Sequence, residues 1–139
     1  MILVDTAGVL AAIDGDHARH DEARETLQSS GEPLVMSPYV LAELDYLLAT
    51  RFGPATQQAF LSEVADGWFE LVPFGTADVK VALQIMRKYR DQHVGLTDAS
   101  IVVLADRFRC TDVLTLDERH FRVLRPLRGG RFRILPQDA

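Results

Sequence analysis

Cysteine is nearly missing from this 139-residue chain: Cys110 stands alone. One thiol cannot form an internal disulfide, which excludes a stapled scaffold and suits a reducing compartment. Cys110 itself reads as a small buried residue, since no histidine stands near it in sequence. Long apolar runs are also missing. The longest, Ala7–Ile13 and Ile101–Ala105 among them, fall far short of the roughly 20 residues that span a bilayer. Met1 leads straight into a strand-like stretch, so no cleavable leader is expected. There is no internal repeat, no low-complexity segment and no linker long enough to divide the chain, so residues 1–139 are expected to form one domain. A zinc ligand set is absent too. His17 and His20 at one helix start are a weak pair, and His93 and His120 read as structural or surface residues.

What is present is the composition of an ordinary globular domain, 47% hydrophobic and 25% charged. The net charge of −5 is unevenly spread. Residues 1–66 carry eleven acids against three bases, whereas residues 67–139 carry nine acids against twelve bases. The excess collects near the end, where Arg119, Arg122, Arg125, Arg128, Arg131 and Arg133 follow one another with no acid between them. A local basic stripe of this kind can serve a polyanion even in an acidic protein.

Short apolar strands alternate with helical stretches. Ile2-Leu3-Val4 reads as a buried strand, followed by a helix from Ala7 to Ile13. A polar helix spans His20–Gln28, and Leu34-Val35-Met36 is a second strand. Ser37 before Pro38 is a strong helix start, and that helix runs to about Arg51 with Val40, Leu41, Leu44, Leu47 and Leu48 on one face. Gly53-Pro54 ends it, and Ala55 to Ala65 forms the next. Trp68 to Val72 is expected as a third strand, with Trp68 packed inside. Thr76 is expected to cap one helix and Thr97 another, with Ile101, Val102 and Ala105 as the buried stripe of the latter. Val113-Leu114-Thr115 forms a fourth strand and Phe132 to Leu135 a fifth. This alternation predicts an α/β fold with a central parallel sheet of four or five strands covered on both faces.

Four acids occupy telling positions in that scheme. Asp5 and Asp117 each lie at or just past the carboxyl end of a strand, where ligands bind in open α/β sheets. Asp98 falls at i of a stripe continued by Ile101, Val102 and Ala105, so its carboxylate is aimed inward and needs a cation or hydrogen bonds. Glu43 and Asp45 flank opposite edges of one apolar stripe, so only one of them can face a given cleft. Periodicity leaves that choice open.

The ordered set Ile2-Leu3-Val4-Asp5-Thr6, Ser37-Pro38 with Leu41-Ala42-Glu43-Leu44, Leu96-Thr97-Asp98-Ala99, and Leu114-Thr115-Leu116-Asp117 before His120-Phe121 resembles a PIN domain. It is most similar to the compact VapC-type toxins of bacterial toxin–antitoxin pairs, over essentially the whole chain. The resemblance selects Glu43 over Asp45. It implies a catalytic and metal-binding set of Asp5, Glu43, Asp98 and Asp117 at the carboxyl edge of the sheet. Oxygen ligands without a cysteine or histidine set favour Mg²⁺ or Mn²⁺, and the chemistry expected is hydrolysis of RNA phosphodiester bonds by a metal-activated water. The family further implies tRNA or rRNA loops as substrate, a homodimer, a VapB-like antitoxin, and larger complexes on operator DNA, all in the cytoplasm and away from membranes. Apolar residues around Leu47–Leu61 are candidates for those protein contacts.

Thr6 and Thr115 are supporting candidates that could orient a water or the phosphate, and Arg119, Arg122 and Arg125 are candidates for substrate contact. Two rivals belong to this fold: an RNA-binding module that does not cut, and a nuclease directed at DNA. Ala7, standing where a haloacid-dehalogenase-like phosphatase needs a second aspartate, counts against that rival.

Overall fold

The computed structural model describes residues 1–139. Its strands are β1 (Ile2–Val4), β2 (Leu34–Met36), β3 (Glu70–Leu71), β4 (Asp112–Leu114) and β5 (Arg133–Leu135). The helices are α1 (Thr6–Ile13), α2 (His20–Ser29), α3 (Pro38–Phe52), α4 (Pro54–Ala65), α5 (Thr76–Lys88), α6 (Leu96–Phe108) and α7 (Glu118–Val123). All pairings are parallel, and the sheet runs β3-β2-β1-β4-β5. From the central β1 the chain first works outward through β2 and β3, then returns to the other side of β1 with β4 and β5. The order therefore reverses between β1 and β4, which opens a crevice at their carboxyl ends.

Burial explains the short strands. Leu3, Val4, Val35, Met36, Val113 and Leu114 are all buried, as expected for a sheet covered on both faces. Val4 stands level with Met36 on one side and Leu114 on the other, so Asp5, Ser37 and Thr115 leave the sheet side by side. The Asp5 amide donates to the Leu114 carbonyl at 2.9 Å, extending that alignment by one residue.

Two contacts fix the helices that carry the acids. Gly8 of α1 lies so close to β4 that a Cβ there would meet the Leu114 carbonyl oxygen at 2.6 Å. On the other side, Ser37 caps α3 by accepting from the Tyr39 amide at 3.2 Å. Its hydroxyl also meets the Ser100 hydroxyl at 2.8 Å, and Ser100 donates to the Thr97 carbonyl at 2.6 Å. The start of α3 is thus tied to the first turns of α6.

The structure adjusts several expected boundaries. The third strand is only Glu70–Leu71, because it pairs on one side alone and Pro73 closes it. Trp68 precedes it and is 69% exposed rather than packed; its amide instead closes the end of α4 on Glu63. Thr76 is the first residue of α5 rather than its cap, and the Gly75 amide is satisfied by Asp78 at 2.9 Å. Likewise α6 starts at Leu96 with Gly95 as its cap, which frees the Thr97 hydroxyl for another use. Helix α7 has no counterpart in the sequence reading, since six residues with Phe121 alone buried are too few to show a period. His17 and His20 do not pair: His17 accepts from the Arg19 amide, while His20 meets the Ala11 carbonyl and ties α2 to α1.

The approach of α1 to β4 generates a test. Gly8→Ala forces a side chain into backbone, so it should lower the unfolding free energy by about 1–3 kcal/mol, the usual cost of overpacking. Urea denaturation should show a lower midpoint with an unchanged slope.

Candidate active site

The crevice between β1 and β4 widens into a cleft of about 700 Å³ whose lining includes Asp5, Thr6, Glu43, Asp98 and Asp117. Four separate elements deliver these acids. Asp5 follows β1, Glu43 lies on α3, Asp98 is in the first turn of α6, and Asp117 stands after β4 at the cap of α7. Asp45 faces elsewhere, accepting from the Gln57 side chain of α4 at 2.7 Å. The choice that periodicity left open falls to Glu43, because the capped start of α3 sets the rotation of that helix.

Hydroxyl groups restrain the carboxylates. Thr115, fully buried, donates to Asp5 Oδ2 at 2.6 Å and accepts from the Asp117 amide at 2.9 Å. One hydroxyl therefore sets the spacing of two acids. Glu43 receives Thr6 on Oε1 at 2.8 Å and Thr97 on Oε2 at 2.5 Å, so both its oxygens are held. Thr97 was expected to cap a helix; positioning Glu43 is what its hydroxyl does instead.

Burial makes the cluster costly. Desolvation pushes the Asp5 carboxyl up to about 7, with the Thr115 hydrogen bond opposing and the charges of Asp98 and Asp117 adding to the rise. Asp98 also lies above the ordinary carboxylate range, chiefly through burial; His120 offsets this, while Asp117 and Glu43 push it further up. Acids in such a state bind a divalent cation by releasing protons, so the donor set fits a hard metal ion.

His120, expected to be structural or at the surface, is the residue that sequence reasoning missed. Its Nδ1 lies 2.8 Å from Asp98 and 3.1 Å from Asp117. Neither oxygen is aligned with the ring N–H, so this buried nitrogen is close to both charges without a formed hydrogen bond. Ligand atoms of Asp98, Asp117 and His120 lie within 4.8 Å of one another, a group that could hold a metal ion. The available signal was the spacing: Asp117 and His120 are three apart at the start of a helix, hence on one face.

The arginines of the tail are mostly engaged. Arg122 pairs with Asp138 and Glu118 at 2.7 and 3.0 Å. Arg125 donates to the carbonyls of Arg122, Val123 and Leu124 at the end of α7. Arg128 pairs with Asp106 and Arg133 with Asp112. Arg119 is nearest the acids, 3.9 Å from Asp117, with its side chain 88% exposed.

A parallel α/β domain with acids gathered at its switch point defines a carboxylate-lined nuclease-type site, and the family follows: the chain belongs to the PIN-domain family, whose model matches residues 2–125. Among characterised proteins it is 48% identical to ribonuclease VapC26 of Mycobacterium tuberculosis over 135 residues, covering 97% of this chain and all of that protein. Among solved structures it is similar to VapC20 of Mycobacterium tuberculosis, described as a sarcin–ricin-loop-cleaving toxin, with a TM-score of 0.78 and 20% identity over 84% of this chain and 90% of that one. It is also similar to a chain of DNA-bound VapBC from Salmonella typhimurium, with a TM-score of 0.68 and 22% identity over 96% of each chain. VapBC2 of Rickettsia felis, bound to a promoter fragment, matches with a TM-score of 0.67 and 19% identity over 96% of this chain and 97% of that one.

The raised Asp5 carboxyl sets a pH dependence. The folded chain keeps a proton up to about pH 7 that the unfolded chain loses near its ordinary value of 3.8. Stability from this group is therefore complete in acid and lost as pH rises through about 7, a loss of up to roughly 4 kcal/mol. In EDTA, wild type should lose stability between about pH 4 and pH 7, whereas Asp5→Asn should show much less of that fall. Addition of Mg²⁺ should raise the melting temperature of wild type more at about pH 8 than at about pH 5.

Proposed function

We propose that this chain is a metal-dependent endoribonuclease and the toxin of a VapBC-type toxin–antitoxin pair, acting in the cytoplasm. The observation that carries this reading is the convergence of Asp5, Glu43, Asp98 and Asp117 on one cleft of a PIN domain. Near-half identity along its length to a protein named as a ribonuclease supports it.

Asp5, Asp98 and Asp117 are assigned to hold the cation, with Glu43 completing the acidic set. Mg²⁺ or Mn²⁺ held there would supply Lewis acidity toward a phosphate and would lower the pKa of water. The chain's own work is geometric. Thr115 holds Asp5 and the Asp117 backbone in one arrangement, and Thr6 and Thr97 fix the Glu43 carboxylate. Arg119, exposed beside Asp117, is the tail arginine best placed for a substrate phosphate, while Arg122 and Arg125 have structural partners to give up first.

The proposed partners are a VapB-like antitoxin and a second copy of the chain. Relatives solved as toxin–antitoxin complexes, some on promoter DNA, support the antitoxin and operator assemblies. Tyr46 and Phe52 on α3 are exposed apolar residues in the region expected for protein contacts. No helix is long and apolar enough to cross a membrane.

Purified wild type should cut total cellular RNA into discrete products with Mg²⁺ or Mn²⁺, and EDTA should abolish cutting. Asp5→Ala, Glu43→Ala, Asp98→Ala and Asp117→Ala should each lower the rate by about 100-fold or more, the scale seen when charge-stabilising groups are removed. Asp45→Ala, outside the cleft, should retain activity. Cutting that survives the four substitutions would refute the assigned site, and a folded wild type that binds RNA uncut would favour the binding-module reading.

A further inference from the structure

The cleft is lined by acids, and yet it must accept a polyanion. A metal ion compensates charge at the phosphate it holds, but neighbouring phosphates of the same strand face the same negative walls. Arg51 is the one base among the lining residues. It stands in the last turn of α3, is exposed, and takes part in none of the ion pairs of the protein. This contrasts with the tail, where Arg122, Arg128 and Arg133 are matched to acids.

Its place on α3 is specific. Tyr39, Glu43, Leu47 and Arg51 recur every four residues and so form a single ridge along the helix, and all four line the cleft. Tyr39 anchors one end of the ridge, with its ring edge-on to Phe74 at 5.2 Å. Arg51 lies at the other end, about 12 Å along the axis from Glu43 at 1.5 Å per residue. Its guanidinium thus reaches a phosphate further along the strand than the one at the carboxylates.

We propose that Arg51 is a substrate-positioning residue that grips a phosphate flanking the scissile one and sets the register of the RNA strand in the cleft. A guanidinium suits this role because its planar fork engages two phosphate oxygens and it stays charged at any working pH. The simpler role, a cation complementing the carboxyl end of α3, would be served equally by lysine and would leave substrate affinity unchanged. The proposal rests on the ribonuclease reading.

The test compares wild type, Arg51→Ala, Arg51→Lys and, as an exposed base on α5 outside the cleft, Lys80→Ala, all acting on an RNA that the wild type cuts. Arg51→Ala should raise KM about 5- to 20-fold with kcat within about twofold, Arg51→Lys should fall between it and wild type, and Lys80→Ala should match wild type. Binding of the same RNA, fluorescein-labelled, on an Asp98→Asn background that cannot cut should lose about 0.7 from its log–log salt slope when Arg51 becomes alanine, the signature of one lost phosphate contact on a single strand. Melting temperatures unchanged between Arg51→Ala and wild type exclude a merely structural effect. An unchanged KM and salt slope in Arg51→Ala, or a fall in kcat alone, would overturn the proposal while leaving the nuclease intact. If wild type cuts no cellular RNA in Mg²⁺ or Mn²⁺, the ribonuclease reading itself fails, and this inference with it.

Discussion

Burial of several carboxylates close to one another sets the electrostatics of the crevice between β1 and β4. Asp5 is almost wholly removed from water, and its ionised form is disfavoured both by that burial and by the nearby charges of Asp98 and Asp117. A fold that simply placed four acids together would relieve the strain by letting their side chains splay outward. Here that escape is closed by short hydroxyl contacts: Thr115 on Asp5, and Thr6 and Thr97 on the two oxygens of Glu43. Each threonine donates to an acid on a different element, so the hydrogen bonds restrain the acids and the packing restrains the hydroxyls. Acids held in this way form a donor set that could bind a metal ion.

That restraint reaches back into the scaffold through two close contacts. Gly8 lets α1 settle directly on the β4 backbone, which holds Asp5 against Thr115. Ser37 and Ser100 join the starts of α3 and α6, which sets Glu43 opposite Thr97 and Asp98. Small residues and buried hydroxyls at these points look unremarkable in isolation, yet each fixes the distance between elements that carry acids. His120 adds a buried ring nitrogen between Asp98 and Asp117, 2.8 Å from one and 3.1 Å from the other.

Charge elsewhere is distributed to leave the cleft distinct. The run of arginines from Arg119 to Arg133 is a basic stripe only along the chain. In space three of its members, Arg122, Arg128 and Arg133, meet Asp138, Glu118, Asp106 and Asp112, all of which lie outside the run in sequence. Beside the cleft the bases are few: Arg119 next to Asp117, and Arg51 at the far end of the α3 ridge.

Strand–helix alternation, buried β-branched strands, the Ser37-Pro38 helix start and the placement of Asp5, Asp98 and Asp117 were all legible along the chain, because each depends on local pattern and backbone chemistry. The acids at strand ends needed only the rule that parallel sheets gather ligands at their carboxyl edge. Other features were not local. Helix α7 is too short to carry a period, and β3 is cut short by its place at the sheet edge. Periodicity could not tell Glu43 from Asp45 because both flank the same stripe, although the motif resemblance favoured Glu43; the packing of α3 turns one into the cleft and the other onto Gln57. Thr97 and His120 take their positions from partners 54 and 22 residues away, and Arg51 lines a cleft that exists only when distant elements meet. Sequence alone thus determined most of the elements and the presence of an acidic site; tertiary structure decided which side chains face it, because facing is a property of how helices are rotated and packed.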